Sequence, residues 1–190
     1  MKYADGAARM TEYRQQIATI RQKIRDTQQA VEPQPVEDYT FQSIDGPVNL
    51  STLFGKHDDL IVIHNMGTSC PACTMWADGY NGVHQHIASR TAFVVSSPDT
   101  AATQREFAAS RGWMFPMVSH AGTTFAADMG YRSSKGGWMP GISVFQRQGK
   151  NVVRVSDTQF RPGDDFCTVF HMFDMLPAGV NGWAPKKQYG

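Results

Sequence analysis

The chain has 190 residues, 18 Lys+Arg against 17 Asp+Glu for a formal net charge of +1, 41% hydrophobic residues and 11% aromatics. That length accommodates one domain with an extension and a sizeable core, and the charge balance excludes a nucleic-acid footprint or an acidic tail. No run approaches the ~18 apolar residues of a membrane span, and three cysteines are too few and too oddly numbered for a disulfide scaffold.

The opening residues Met1 to Gly6 are polar and lead into no apolar signal-peptide core, so a cytoplasmic location is expected. Met10, Tyr13, Ile17, Ile20 and Ile24 follow at alternating intervals of three and four, the apolar stripe of an amphipathic helix between Ala7 and about Ala30. Its other face carries Arg9, Arg14, Arg21, Lys23 and Arg25. Two heptads are short for an autonomous coiled coil, so docking against the domain is expected ahead of a homodimer through this helix. Glu32-Pro33-Gln34-Pro35 ends the helix, because proline lacks a donor and excludes its predecessor from the helical region. It reads as a linker.

Tyr39 to Ser43 and Val48 to Leu50 flank Asp45-Gly46 and predict a β-hairpin. Leu53 to Asp59 is a loop or short helix. Leu60 to Asn65 is apolar and β-branched, the pattern of a buried strand, and a polar turn, Met66 to Ser69, follows it. From Cys70 onward Ala72, Met75, Trp76, Tyr80, Val83 and Ile87 recur at helical spacing, with Gly79 and Gly82 as points where the helix kinks or ends. Ala92 to Ser96 predicts another strand and Thr100 to Ser110 a helix, giving a βαβ unit with parallel pairing. Phe115 to Val118 reads as extended and Phe125 to Met129 as a short helix. Ile142 to Gln146 and Val152 to Ser156 form a second hairpin. Phe166, Val169, Phe170 and Phe173 line a last helix, and the tail from Pro177 is irregular.

Cys70-Pro71-Ala72-Cys73 stands at the predicted junction of strand and helix. Pro71 suits the first helical position, which makes Cys70 the N-cap, facing unpaired N–H groups and the positive end of the helix dipole. Such a site favours thiolate over thiol. Cys73, one turn further in, is the buried and protonated partner, so Cys70 attacks a disulfide and Cys73 resolves the mixed disulfide. A CxxC is equally half of a zinc site, but two more ligands are then required. The candidates are Cys167, His84 and His86, and the two histidines, two residues apart, point to different sides of a helix. An inert pair is the remaining alternative.

The order β-α-β, connector, hairpin and helix is that of the thioredoxin fold. Residues 46–73 resemble the opening of thioredoxin-like reductases and peroxiredoxins. Cys-Pro-Ala-Cys-Thr-Met-Trp-Ala-Asp-Gly at 70–79, Gly-Trp-Met-Phe-Pro-Met-Val-Ser at 112–119 and Pro-Gly-Ile-Ser-Val-Phe at 140–145 resemble a bacterial family of unknown function, described as predicted dithiol-disulfide oxidoreductases. The resemblance implies an α/β, thioredoxin-like fold: a mixed central sheet flanked by helices, with an N-terminal β-hairpin and an N-terminal amphipathic helix. Residues 1–35 would be extension and linker, 36–176 the domain, and 177–190 the tail.

The same resemblance puts Met139-Pro140 where thioredoxin-like proteins carry a cis proline facing the CxxC, with the neighbouring backbone pairing a bound partner as an added strand. Pro116 is the competitor. His64 lies where thioredoxins carry a buried acid that moves the second cysteine's proton, although a core histidine is the default reading. Thr68, Pro71 and Trp76 complete the expected surroundings, Trp76 as packing beneath the motif and Asp78 as a surface or local pairing residue. Peroxiredoxins require a threonine or serine three residues before the attacking cysteine, preceded by proline; here Gly67 occupies that position. The expected activity is thiol:disulfide exchange on a disulfide or dithiol of a protein or a small-molecule thiol, with no cofactor or metal and neither nucleic acid nor membrane as partner. Peroxidase chemistry and a non-enzymatic binding module are the alternatives.

Overall fold

A computed structural model of the chain describes residues 1–189. It divides into two compact units, Met1–Pro33 and Gln34 onward.

The first unit is helix α1, Tyr3–Ala30. It begins a turn earlier than the apolar stripe requires, with Asp5 in its first turn, where a carboxylate complements the helix dipole. Side chains one turn apart support it, as in Gln22 Nε2 to Asp26 Oδ1 at 2.6 Å. None of its residues is buried.

The second unit is built on one eight-stranded sheet. Its strands are β1 (Gln34–Val36), β2 (Thr40–Ser43), β3 (Gly46–Asn49), β4 (Asp59–His64), β5 (Ala92–Ser97), β6 (Met117–Ser119), β7 (Gly141–Gln148) and β8 (Asn151–Gln159), in the order β1-β8-β7-β4-β5-β6-β2-β3. Helices α2 (Pro71–Ala88), α3 (Ala101–Arg111), α4 (Phe125–Asp128) and α5 (Thr168–Phe173) connect and cover it. The expected mixed thioredoxin-like sheet is present: β4 pairs parallel with β5 and antiparallel with β7. The linker expected to run through Pro35 is shorter, because Gln34–Val36 pairs with β8. Pro35 is tolerated there because β1 is an edge strand, where a missing donor leaves no ladder bond unmade.

Strand alternation separates two cores. Leu60 and Val62 of β4 and Val94 of β5 join Phe41, Phe125 and Phe145 on one face, whereas Ile63, Phe93 and Val95 meet Trp76 and Tyr80 of α2 on the other. Helix α2 passes through Gly79 and Gly82 without ending; both are exposed, so they lower helix propensity without opening a hole in the core. Its buried face runs through Cys73, Ala77 and Tyr80 to half-buried His84 and leaves Val83 46% exposed, a drift that follows from 3.6 residues per turn. Among the described residues, no helix is long and apolar enough to cross a membrane.

Candidate functional site

Strand β4 delivers the chain to a tight loop, Asn65 to Ser69, from which α2 starts. Asn65 continues the sheet through its N–H to Ser96 O, and its side-chain oxygen turns back to accept the Gly67 N–H at 2.8 Å. Gly67 has φ +99°, and a Cβ there would lie 2.9 Å from Asp99 Oδ2. That carboxylate accepts the Thr68 N–H at 2.7 Å. Asp99 itself sits in the β5–α3 turn, where its own N–H donates to Ser97 Oγ, and Ser97 Oγ accepts from Gln104 Nε2 of α3 at 2.8 Å. The cysteine loop is therefore held from α3 through three buried or half-buried polar side chains.

Cys70 is the N-cap of α2 and Pro71 its first residue. The Cys70 sulfur accepts the Cys73 N–H at 3.1 Å, while its carbonyl accepts both the Thr74 N–H and the Thr74 hydroxyl. Cys70 is half-buried, and Cys73 is buried, its sulfur 3.5 Å from the Met66 N–H. The two thiols are driven apart. Cys70 is pushed down to about 7, first by the Cys73 thiol donating to it and then by the backbone N–H groups of Cys73 and Ala72, against an opposing effect of burial. Cys73 is pushed up, first because it donates to Cys70, then by burial and by the neighbouring negative charge.

Trp76 is buried on the inner face of α2, its ring 5.3 Å from Phe160. Asp78 pairs locally: it accepts from Arg111 Nε and Trp113 Nε1, both at 2.8 Å, and so clamps α2 to the end of α3. Among the described residues, no three of His, Cys, Asp and Glu are grouped to hold a metal ion. Cys167 is buried in the α2-side core at the start of α5, and His84 packs against Phe93 and Phe115.

One expectation is corrected. The Met139–Pro140 bond is trans, since the described chain has no cis peptide bond. Gly141 pairs with His64, so Pro140 does lie at the sheet end from which the cysteine loop departs. Its neighbours, however, are already paired: the Met139 N–H donates to Tyr131 O, and Pro140 O accepts from Phe160 N–H, both at 2.9 Å. Pro140 thus opens β7 as an ordinary trans proline, and the Met139 N–H is taken by its own chain rather than offered to an added strand.

His64 takes its default reading, that of a core histidine, and not the proton-moving role. It follows Leu60 and Val62 on the face opposite α2, stacked on Tyr131 with ring centroids 3.7 Å apart, and its Nε2 meets Ser143 Oγ at 2.9 Å. Burial first, then His120 and Arg154, hold it well below the ordinary imidazole range. The sheet lies between this ring and the α2 face that carries Cys73, so it cannot take that thiol's proton. Asn65, Ser97, Asp99 and Gln104 escaped the sequence reading. The helix start at Thr100 is legible, but the link of the preceding Asp99 to Thr68, 31 residues away, leaves no local signal.

Residues 7–189 match the family described as bacterial protein of unknown function (DUF899). The chain belongs to that family. No curated protein matches it. Solved structures share its fold: the peroxidoxin BcpB of Mycobacterium tuberculosis at 25% identity and TM-score 0.53, with 65% of this chain and 84% of that one covered. A PrxQ variant of Xylella fastidiosa follows at 14% identity and TM-score 0.57, with 67% and 84% covered. A reduced Prx3 of Vibrio vulnificus, in complex with hydrogen peroxide, gives 12% and 0.56, with 70% and 90% covered. The thioredoxin-like framework expected of this DUF899 chain is thus shared with peroxiredoxins.

Proposed function

We propose that this DUF899 protein is a thiol-based redox enzyme, and specifically a dithiol-disulfide oxidoreductase working through Cys70 and Cys73. One observation carries the reading: the two sulfurs are inequivalent, with the half-buried one supplied with N–H and S–H donors at a helix start and the buried one kept protonated. The Cys70 thiolate attacks a disulfide R–S–S–R′, forming Cys70–S–S–R and releasing R′S⁻. Cys73 then loses its proton, attacks the Cys70 sulfur and expels RS⁻, leaving a Cys70–Cys73 disulfide for an external dithiol to reduce. Disulfide capture by the Cys73→Ser variant tests this. A mixed disulfide at Cys70, found by mass spectrometry, is expected; unmodified Cys70, alkylating no faster than Cys167, would sink the reading.

The fold shared with peroxiredoxins favours a second reading, reduction of a peroxide by Cys70. Position 67 weighs against it. The Cβ of the threonine or serine that the peroxiredoxin pattern places there would collide with Asp99 and sit at φ +99°, which L side chains rarely adopt. Hydrogen peroxide consumption, followed beside disulfide reduction under the same conditions, separates the two.

A further inference from the structure

Asp99 stands one residue before Thr100, the N-cap of α3, and takes no part in that cap, because the Thr100 side chain itself accepts the Thr103 N–H at 3.2 Å. Its carboxylate serves the cysteine loop instead, where Oδ2 accepts the Thr68 N–H, 31 residues back, at 2.7 Å. An N–H to carboxylate bond of this length is charge-assisted. The cleft around it measures only about 10 Å³, room for no more than one water, and Phe107, Trp113 and Met117 form its apolar side. The loop is fitted to the carboxylate at the next residue as well: Gly67 is buried at φ +99°, and a Cβ there would lie 2.9 Å from Oδ2 and 3.1 Å from Oδ1. From this turn the hold passes to the sulfur. The Gly67 carbonyl accepts the Cys70 N–H at 3.1 Å, and the Cys70 carbonyl accepts from Thr74. Pinned at both ends, Cys70 keeps the extended N-cap conformation, φ −93° and ψ 107°, in which its sulfur meets the Cys73 N–H. On its other side Asp99 cannot follow a loosened loop. Its N–H donates to Ser97 Oγ, which accepts from Gln104 Nε2, and Gln104 Nε2 donates also to Val118 O; Ser97 and Gln104 are both buried.

We propose that Asp99 is a positioning residue for Cys70: by holding the Thr68 N–H it keeps the Cys70 sulfur on the donors at the start of α2, and so sets how readily that sulfur reacts. The proposal rests on the disulfide-exchange reading, to which it adds the residue that governs the attacking thiol. Asp99 acts through its acceptor oxygen and not through its charge, since an anion beside the loop would by itself oppose a thiolate. Position and charge therefore have opposite signs, and the two can be told apart.

The test uses the full chain and iodoacetamide, with alkylation of Cys70 followed by mass spectrometry from pH 5 to 10. The unmodified protein should show a midpoint near 7. Asp99→Ala should carry the midpoint up toward the ordinary cysteine value of about 8.5, so that Cys70 alkylates about tenfold more slowly at pH 6 and within about twofold at pH 10, where either protein is thiolate. Asp99→Asn keeps an acceptor oxygen without the charge and should stay within about twofold of the unmodified protein at both pH values. A lowered melting temperature in Asp99→Ala with an unmoved midpoint overturns the proposal, because Asp99 would then only support the fold. A midpoint that falls in both variants overturns it too, because the carboxylate would then act as a charge. Should Asp99→Ala fail to fold, Ser97→Ala removes the acceptor that anchors the Asp99 N–H and takes its place: a rise in the midpoint is expected, and an unmoved one overturns the proposal. Exchange with the symmetrical disulfide of thionitrobenzoate, run on the same proteins, separates the proposal from the reading beneath it. Slowing in Asp99→Ala at pH 6 that parallels alkylation supports both. An unmodified chain that does not react with that disulfide ends the exchange reading, while the alkylation midpoints still decide the role of Asp99.

Discussion

The two faces of the sheet at the end of β4 both bury titratable groups, and they treat them in opposite ways. On the α2 face, Cys70 and Cys73 sit at a helix start where donors are unpaired by geometry, and the chain supplies the anionic form with an N–H and an S–H. On the other face, His64 and His120 are buried without charge partners; burial, as the first cause, lowers both, His120 to about 4. Each ring keeps one neutral hydrogen bond to a serine, His64 to Ser143 and His120 to Ser96. A perturbed titration therefore marks chemistry only where the structure stabilises the charged form and leaves it within reach. The histidine face is architecture, and the thiol face carries the proposed site.

The sharpest way to break that contrast is to remove one group from each face. Cys70→Ser should lower disulfide exchange to the uncatalysed level with the melting temperature nearly unchanged, because Cys70 is half-buried and contributes little packing. His64→Ala should do the reverse, keeping most of the activity while costing about 2–4 kcal/mol of stability through a cavity beneath Tyr131 and an unpaired Ser143. Activity and thermal unfolding measured on both variants decide it; loss of exchange in His64→Ala at a temperature where it is folded would place that ring in the mechanism.

The next effect is in pH. Both histidine values are depressed in the folded state, so between pH 6.5 and about 4 the unfolded chain binds more protons and stability falls as pH falls. Stability is fully present above pH 6.5, and His120 alone accounts for a loss on the order of 3 kcal/mol by pH 4. Urea unfolding followed from pH 7 to 4 should show this slope, and His120→Gln should flatten it. On the thiol face the titration is of reactivity. Alkylation of Cys70 should rise with a midpoint near 7, and Cys73→Ala should move that midpoint upward, because its thiol is the largest cause of the low value. An unmoved midpoint would leave the helix N-terminus alone in control.

What could be read from the chain follows the range of the interactions involved. The start of α2, with Cys70 as cap and Pro71 at the first position, is local chemistry and was legible. So were the hairpin around Gly46, whose φ of +111° only glycine adopts freely, and the parallel β4–β5 pair. The side of the sheet that His64 occupies depends on where β4 ends, a parity that no local sequence signal fixes. The trans state of Met139–Pro140 depends on hydrogen bonds to Tyr131 and Phe160, and the tether from Asp99 to Thr68 crosses α2 and β5. Neither has a sequence-local trace. Position 67 lies between the extremes: a glycine in a turn is visible, whereas the carboxylate that fills the space beside it is not.

The smallest expected effect tests whether the outer surface of α2 matters to the site at all. Gly79 and Gly82 are exposed within the helix, and a Cβ added at either would meet no atom within 4 Å. Neither has the positive φ that would make an alanine strained. Replacing each by alanine should therefore raise stability by about 0.5–1 kcal/mol through the entropy of the unfolded chain and helix propensity. Because Cys70 and Cys73 are held from the inner face and from the Asp99 turn, the alkylation midpoint and exchange rate should stay where they were. A stabilised Gly79→Ala/Gly82→Ala protein with a slowed resolving step would show instead that α2 must flex for Cys73 to reach the Cys70 sulfur, and the glycines would then belong to the thiol face after all.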